Sequence, residues 1–269
     1  MNTGFIGTGS MGSMLLRALL RTWALVPANV WATNRSHAKV DALATEFPGI
    51  HVAGNRQLAA SCDLIFLCVK SSDTASVLAQ LDPELYPGQL LVTTTSTIPL
   101  KTLEDRVPCR VAKLIPSITQ EIGAGVSLLI YGSRVTPEDR RLLEDLLKRI
   151  SRPVVITETQ ARPAIALASG GPALIAYLLE SMAQEAVRNN SELSPELAGT
   201  LVRETASATL RLMSEAKMNE QDVIRRVATP GGMTELGIKI LAERVPQAWQ
   251  AVFRETAERE AKHRQEFAL

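Results

Sequence analysis

Short apolar runs alternate with helical stretches over residues 1–157. Phe5–Ile6 end a first strand. Met11, Leu15, Ala18 and Leu19 then recur at helical spacing, and Val30–Thr33 begins a second strand followed by a helix to about Glu46. Ile50–Ala53, Asp63–Val69, Gln89–Thr95, Arg110–Ile115, Val126–Tyr131 and Pro153–Ile156 continue the series. The run DLIFLCV at 63–69 is apolar after its first residue, as in a strand buried on both faces. Strands alternating with helices predict an open α/β sheet. Thr136-Pro137-Glu138 starts the last helix of this part: a cap, a proline suited to the first turn, and an acid at the positive end of the helix dipole.

Beyond about Glu158 the strand signals stop. Residues 160–188 are Ala- and Leu-rich and helical, Ser194-Pro195-Glu196 opens a helix to about Glu215, and 220–228, 233–244 and 246–265 also carry helical periodicity. The division is therefore an α/β domain over 1–157 and an all-helical domain over 158–269. So few helices make a thin core, so the pattern predicts that the helical domain packs against a second copy as a homodimer.

Composition narrows the class. Formal net charge is +1, with a small positive excess before residue 158 and a small negative one after it. Neither part is basic enough to predict a nucleic-acid surface. Cys62, Cys68 and Cys109 are odd in number and lack CxxC spacing, which fits a reducing compartment. His37, His51 and His263 are isolated, so no metal site is expected. No secretory leader is predicted, and no unbroken apolar run approaches the roughly 20 residues that span a bilayer. The expected location is cytoplasmic.

Gly7-Thr8-Gly9-Ser10-Met11-Gly12 is a GxGxxG that directly follows a strand, opens an amphipathic helix and starts a β-α-β series. In that context it predicts a Rossmann-type dinucleotide site: a tight turn, a close approach to the pyrophosphate, close helix–strand packing, and free amides facing the phosphates. The second strand ends in Thr33-Asn34-Arg35-Ser36, with no acid to hold the ribose hydroxyls of NAD. A guanidinium can pair with a 2′-phosphate, so NADP(H) is expected over NAD(H), with Arg35 as main contact and Asn34 and Ser36 as hydrogen-bonding partners. Arg56 is a further candidate for that contact. Lys70, at the carboxyl end of the 63–69 strand, is placed to meet cofactor phosphate or ribose.

With these residues on the page, the chain resembles the pyrroline-5-carboxylate reductase family along nearly its whole length, and within it the late competence protein ComER branch. The matching stretches are GFIGTGSMGS at 4–13, DLIFLCVK at 63–70, GGPA at 170–173 and TPGGMTELGI at 229–238, with IPSIT at 115–119 and AGVSL at 124–128 resembling that branch. The resemblance implies NAD(P)H-dependent reduction of 1-pyrroline-5-carboxylate to proline by a Rossmann domain and a helical domain that builds an intertwined dimer. It implies cofactor contacts at Gly7, Gly9, Ser10, Met11, Gly12, Asn34, Arg35, Asn55, Cys68, Val69 and Lys70, and substrate contacts at Gly232, Met233 and Thr234. Departures cluster near the chemistry. Val69-Lys70-Ser71 stands for the family's VKP, Ile115-Pro116-Ser117-Ile118-Thr119 for MPNTP, Ala168-Ser169-Gly170-Gly171-Pro172-Ala173 for SGSGPA, and Asn219-Glu220 for its His-Pro pair.

Imine reduction needs hydride at the C=N carbon, a proton on nitrogen and an anchor for the carboxylate. Pro230-Gly231-Gly232-Met233-Thr234 fits: Gly231 and Gly232 expose backbone, and the following helix start offers free amides. The Thr234 hydroxyl is either a partner for the ring nitrogen or a helix cap. Ser169-Gly170-Gly171-Pro172 interrupts a helix, either as a packing kink or as backbone passing close to the nicotinamide. A β-hydroxyacid dehydrogenase would place a lysine on the first long helix of the second domain, but 158–190 holds no lysine or histidine. There is no YxxxK pair either, since Ser181 follows Tyr177 at that spacing. The readings carried forward are an imino-acid reductase, a non-catalytic NADP(H)-binding regulator, and, less favoured, a β-hydroxyacid dehydrogenase.

Overall fold

In the computed structural model the backbone is described for residues 1–266 and the burial of side chains for residues 1–262, so His263 lies outside the described side chains. Eight strands form one sheet: β1 (Thr3–Ile6), β2 (Val30–Thr33), β3 (His51–Val52), β4 (Leu64–Leu67), β5 (Leu90–Thr93), β6 (Arg110–Ile115), β7 (Val126–Tyr131) and β8 (Arg152–Val155). Their order is β3-β2-β1-β4-β5-β6-β7-β8, so the chain reverses its direction across the sheet between β1 and β4. All neighbours are parallel except β6 and β7. Only a 3₁₀ turn at Ile118–Ile122 and a short loop join that pair, which leaves no room for the crossover helix a parallel pair requires.

Alternation along the strands feeds two cores. Phe5, Leu64, Phe66, Leu114 and Leu129 pack on one face with α1 (Ser10–Arg21), α2 (His37–Glu46) and α6 (Pro137–Lys148). Ile6, Ile65, Leu67, Val111 and Ile130 pack on the other with α3 (Asn55–Ser61), α4 (Ser71–Leu81) and α5 (Leu100–Glu104). Phe5 and Phe66 pair in register across β1 and β4 and stack with ring centroids 4.8 Å apart. Thr136 and Asp139 close a reciprocal capping box at the start of α6. Ala161, Ile165 and Ala168 of α7 (Ala161–Ala168) join the second core, so this compact unit runs from Met1 to Pro172 and takes in the stretch from Ala257.

The other compact unit, Ala173–Thr256, holds most of α8 (Gly171–Asn189), α9 (Pro195–Glu215), α10 (Glu220–Val227) and most of α11 (Met233–Glu266). Two expectations change here. The helices expected at 233–244 and 246–265 are one helix, with Pro246 inside it. Proline removes one i→i−4 bond; good helix formers on both sides (Ala242, Glu243, Arg244, Gln247, Ala248) carry the helix through. Secondly, Glu158–Asn189 is long and apolar enough by length and composition to cross a membrane, with a mean hydropathy of 1.4 over its best window. The charged residues Glu158, Arg162, Glu180, Glu185 and Arg188 break the stretch, so it holds no unbroken apolar run of that length. Among the described residues of this unit Ala198 alone is buried, while Tyr177, Met182, Leu201, Leu210 and Leu241 are all exposed.

Candidate functional site

A cleft of about 680 Å³ opens at the carboxyl ends of β1, β2 and β4, where an open α/β sheet binds ligands. The motif glycines build its floor. Gly7 turns out of β1 at φ +90°, a left-handed conformation open to glycine, and its amide donates to the Thr33 carbonyl at 3.0 Å. A Cβ on Gly12 would lie 2.0 Å from the Gly7 carbonyl oxygen, so α1 packs on the turn through a missing side chain. Gly9, which precedes α1, has open space where its Cβ would be. The three positions thus serve the tight turn, the close packing and the open approach that the spacing predicts.

The β2 end supplies the charge. Arg35, His37 and Lys39 line the cleft, with Lys70 across from them and Asp73 the acid at its wall. Asn34 folds its own loop, its Nδ2 donating to the Ser36 carbonyl at 3.1 Å. Ser36 precedes α2 without making a side-chain cap, so its hydroxyl is left for other partners. Asn55 Nδ2 donates to Gln80 Oε1 at 2.7 Å, tying α3 to α4 along one wall.

Gly7, Gly9, Asn34, Arg35, Ser36, Asn55, Cys68, Val69 and Lys70 come together in this cleft. Thr8, Ser10, Met11 and Gly12 do not line it. Thr8 is buried with its hydroxyl unpartnered, Ser10 faces a separate shallow pocket beside Arg17, Met11 is exposed, and Gly12 lies beneath the turn. Arg56 sits on α3 and is not among the residues that line the cleft, whereas Lys39 is. Sequence reasoning also missed His37, Asp73, Ser76 and Gln80. Lys39 lies in the first turn of α2 and Arg35 in the loop before it, so no fixed spacing in the sequence links the two. Burial pushes the Cys68 thiol up to about 12, so it stays protonated and its part in the cleft is packing and backbone.

The glycine-rich loop of the helical unit is built differently. Gly231 adopts φ +75°, and the Gly232 amide donates to the Thr229 carbonyl at 2.9 Å. The Gly231 amide donates to Glu235 Oε2 at 2.8 Å, and that bond, with Lys239 beside it, holds the Glu235 carboxyl below its ordinary range. Both glycine amides are therefore occupied. The open amides are those of the first turn of α11, beginning at Met233. Thr234 is the second residue of that helix, exposed and one step inside it, so it is not the residue that caps it. At the interruption before α8, α7 ends at Ala168 and Pro172 is the second residue of the new helix.

The description "Pyrroline-5-carboxylate reductase dimerisation" matches residues 158–263, and "NADP oxidoreductase coenzyme F420-dependent" matches residues 2–97. ComE operon protein 4 of Bacillus subtilis (strain 168) is 32% identical over 95% of this chain and 94% of its own length. Pyrroline-5-carboxylate reductase 3 of the same organism is 30% identical over 94% of this chain and 93% of its own. The chain belongs to the pyrroline-5-carboxylate reductase family. The fold agrees: a Plasmodium falciparum pyrroline carboxylate reductase solved with NADP bound superposes with a TM-score of 0.82 at 22% identity, covering 100% of this chain and 98% of that one. In this reductase family member, the apolar stretch Glu158–Asn189 begins where the match to the dimerisation model begins.

Proposed function

We propose that this protein is an NADPH-dependent reductase of a small cyclic imino acid, pyrroline-5-carboxylate or a close relative, acting in the cytoplasm as a homodimer. Residues 1–157 hold the dinucleotide, and 158–269 supply substrate contacts and the dimer interface. The observation that carries the reading is the cleft at the β1–β2–β4 ends, with an open Gly9 in its turn and Arg35 and Lys39 where a ribose-binding acid would stand. A 2′-phosphate gains charge-assisted bonds there, whereas NADH brings no charge to pair.

NADPH, when bound, supplies the hydride. The chain's part is to hold the substrate. The first-turn amides of α11 at Met233 and Thr234 take the carboxylate, as helix N-termini take anions. Glu235 fills the Gly231 amide and leaves those of the helix for substrate. The Thr234 hydroxyl bonds the ring nitrogen. An iminium that binds already protonated needs no strong acid from the protein, which fits a site without a lysine or histidine on α7 or α8.

The test is oxidation of NADPH, followed by absorbance, with pyrroline-5-carboxylate as substrate. Turnover with NADPH well above that with NADH is expected. Tight NADPH binding without turnover on this or other cyclic imino acids would replace the reading by that of a cofactor-binding regulator. That alternative draws on the altered segments around Ser117 and Ser169.

A further inference from the structure

At the start of α11 the chain builds half of a helix cap. At α6 and α10 it builds the whole. There Thr136 with Asp139, and Asn219 with Asp222, form reciprocal boxes: the side chain before the helix accepts from the amide of the third residue, and that residue's carboxylate accepts from the amide before the helix. Glu235 is likewise the third residue of its helix, but the residue before α11 is Gly232, which has no side chain to return the bond. A Cβ there would crowd Thr229, lying 2.8 Å from its hydroxyl and 3.0 Å from its carbonyl oxygen. The Glu235 carboxylate also reaches one residue further back than a box requires, taking the Gly231 amide, while the Gly232 amide turns to Thr229. Among the described residues, the amides of Met233, Thr234 and Glu235 are left without an acceptor.

We infer that Glu235 is the positioning residue of the substrate loop: it fixes the Gly231–Gly232 turn in the shape that keeps the first amides of α11 open for a substrate carboxylate; this rests on the reductase reading above. Three features support the role. First, packing does not hold the turn. Gly231 sits at φ +75°, and no neighbour lies within 4 Å of where its Cβ would be. Glycine loses more freedom on ordering than any other residue, two stand together here, and the Glu235 bond spans them. Secondly, the staple is fixed at its far end. Lys239, one turn along α11, lies 3.3 Å from Glu235 Oε1, while Oε2 takes the amide, so loop and helix are tied through one carboxylate. The amide first, and Lys239 after it, hold that carboxyl below its ordinary range, and it stays charged at neutral pH. Thirdly, charge is balanced. A bare carboxylate beside open amides would repel an anionic substrate, and the Lys239 ammonium offsets it.

The experiment is steady-state kinetics of the full-length protein at saturating NADPH, with pyrroline-5-carboxylate and with 1-pyrroline, the same ring without the carboxylate. Without the staple the loop must be ordered as substrate arrives, so the loss falls on binding and not on the bound complex. Glu235→Ala is expected to raise KM for pyrroline-5-carboxylate about fivefold, the effect of one partly exposed charged hydrogen bond, and to change kcat far less. Its kcat/KM on 1-pyrroline should fall much less than that on pyrroline-5-carboxylate. Glu235→Gln, whose side-chain carbonyl still accepts from the Gly231 amide, is expected to recover most of the loss. A parent-like KM in Glu235→Ala, a loss carried by kcat, an equal loss on both rings, or no recovery in Glu235→Gln would each overturn the inference and leave the reductase reading standing. A parent protein that binds NADPH and reduces neither ring overturns both.

Discussion

At the end of β2 the chain places Arg35 in a cleft that Lys39 also lines, and no acid stands at that strand end. Arg35→Asp is expected to weaken NADPH binding by about tenfold or more, since a charge-assisted pair is replaced by repulsion, and to change NADH binding far less. Equal losses for the two cofactors in a fluorescence titration would remove Arg35 from the phosphate site. Gly12→Ala is a harsher change, because the added carbon meets backbone 2.0 Å away; loss of dinucleotide binding and a lowered melting temperature are expected together. These residues were legible because each follows from a local rule of turn, packing or charge at fixed spacing. Asp73 and Gln80 were not, since each depends on how α4 packs beside the cleft. The buried thiols give a pH prediction. Burial pushes Cys62 and Cys68 up to about 12 and Cys109 to about 11. In an unfolded chain a thiol ionises near pH ~8.5. From there up to the folded values the unfolded state binds fewer protons, so stability falls as pH rises. The urea midpoint should drop between pH 8 and 10.5, and less steeply in a Cys62→Ala, Cys109→Ala variant; identical slopes would rule this cause out.

Among the elements, the entry to α7 is held by an ion pair between a buried lysine and a partly exposed glutamate. Lys113, 2% exposed in the middle of β6, pairs with Glu158 at 2.5 Å, and the same Glu158 oxygen accepts from the Leu100 amide at 2.9 Å. One carboxylate thus ties β6, α5 and the segment leading into α7. Removing it takes one partner from a buried ammonium, and because Glu158 itself is 41% exposed, Glu158→Ala is expected to cost about 1.5 kcal/mol in urea unfolding. Lys113→Met together with Glu158→Leu should recover much of that, because an apolar pair leaves no charge unpaired. A Glu158→Ala loss below about 0.5 kcal/mol would show that water or a neighbour serves Lys113 as well. The strands flanking this pair were readable from unbroken apolar runs, and α6 from its cap. What escaped was set by context: β7 runs antiparallel because its connection is short, and α11 passes through Pro246 because both sides propagate.

For the whole molecule, the question is what closes the helical unit. Leu201 and Leu210 on α9, Tyr177 and Met182 on α8, and Leu236, Ile240 and Leu241 on α11 are each at least half exposed in the single chain, and Ala198 alone among the described residues of the unit is buried. Each such side chain contributes about 1.5–3 kcal/mol when fully buried and little while it stays wet, whereas ordering each residue costs about 1–2 kcal/mol. Four helices with this balance do not hold their fold by their own contacts, and a second copy of the same apolar faces is the partner that the match to the dimerisation model supports. Stability then becomes inseparable from protomer concentration. The thermal midpoint should rise with protein concentration, and light scattering at micromolar concentration should report at least a dimer. Leu210→Glu, at a 65% exposed position on α9, is expected to shift the mass toward monomer and to lower the helical signal. Ile122→Glu, at an 82% exposed position in the α/β unit, is the matched control and should change neither. Adenosine 2′,5′-bisphosphate should still bind the Leu210→Glu protein, because the Gly7 turn and Arg35 lie in the unit that has its own core. A parent protein that is monomeric, with a midpoint independent of concentration, would mean that the exposed leucines are covered some other way, and the homodimer reading would fall.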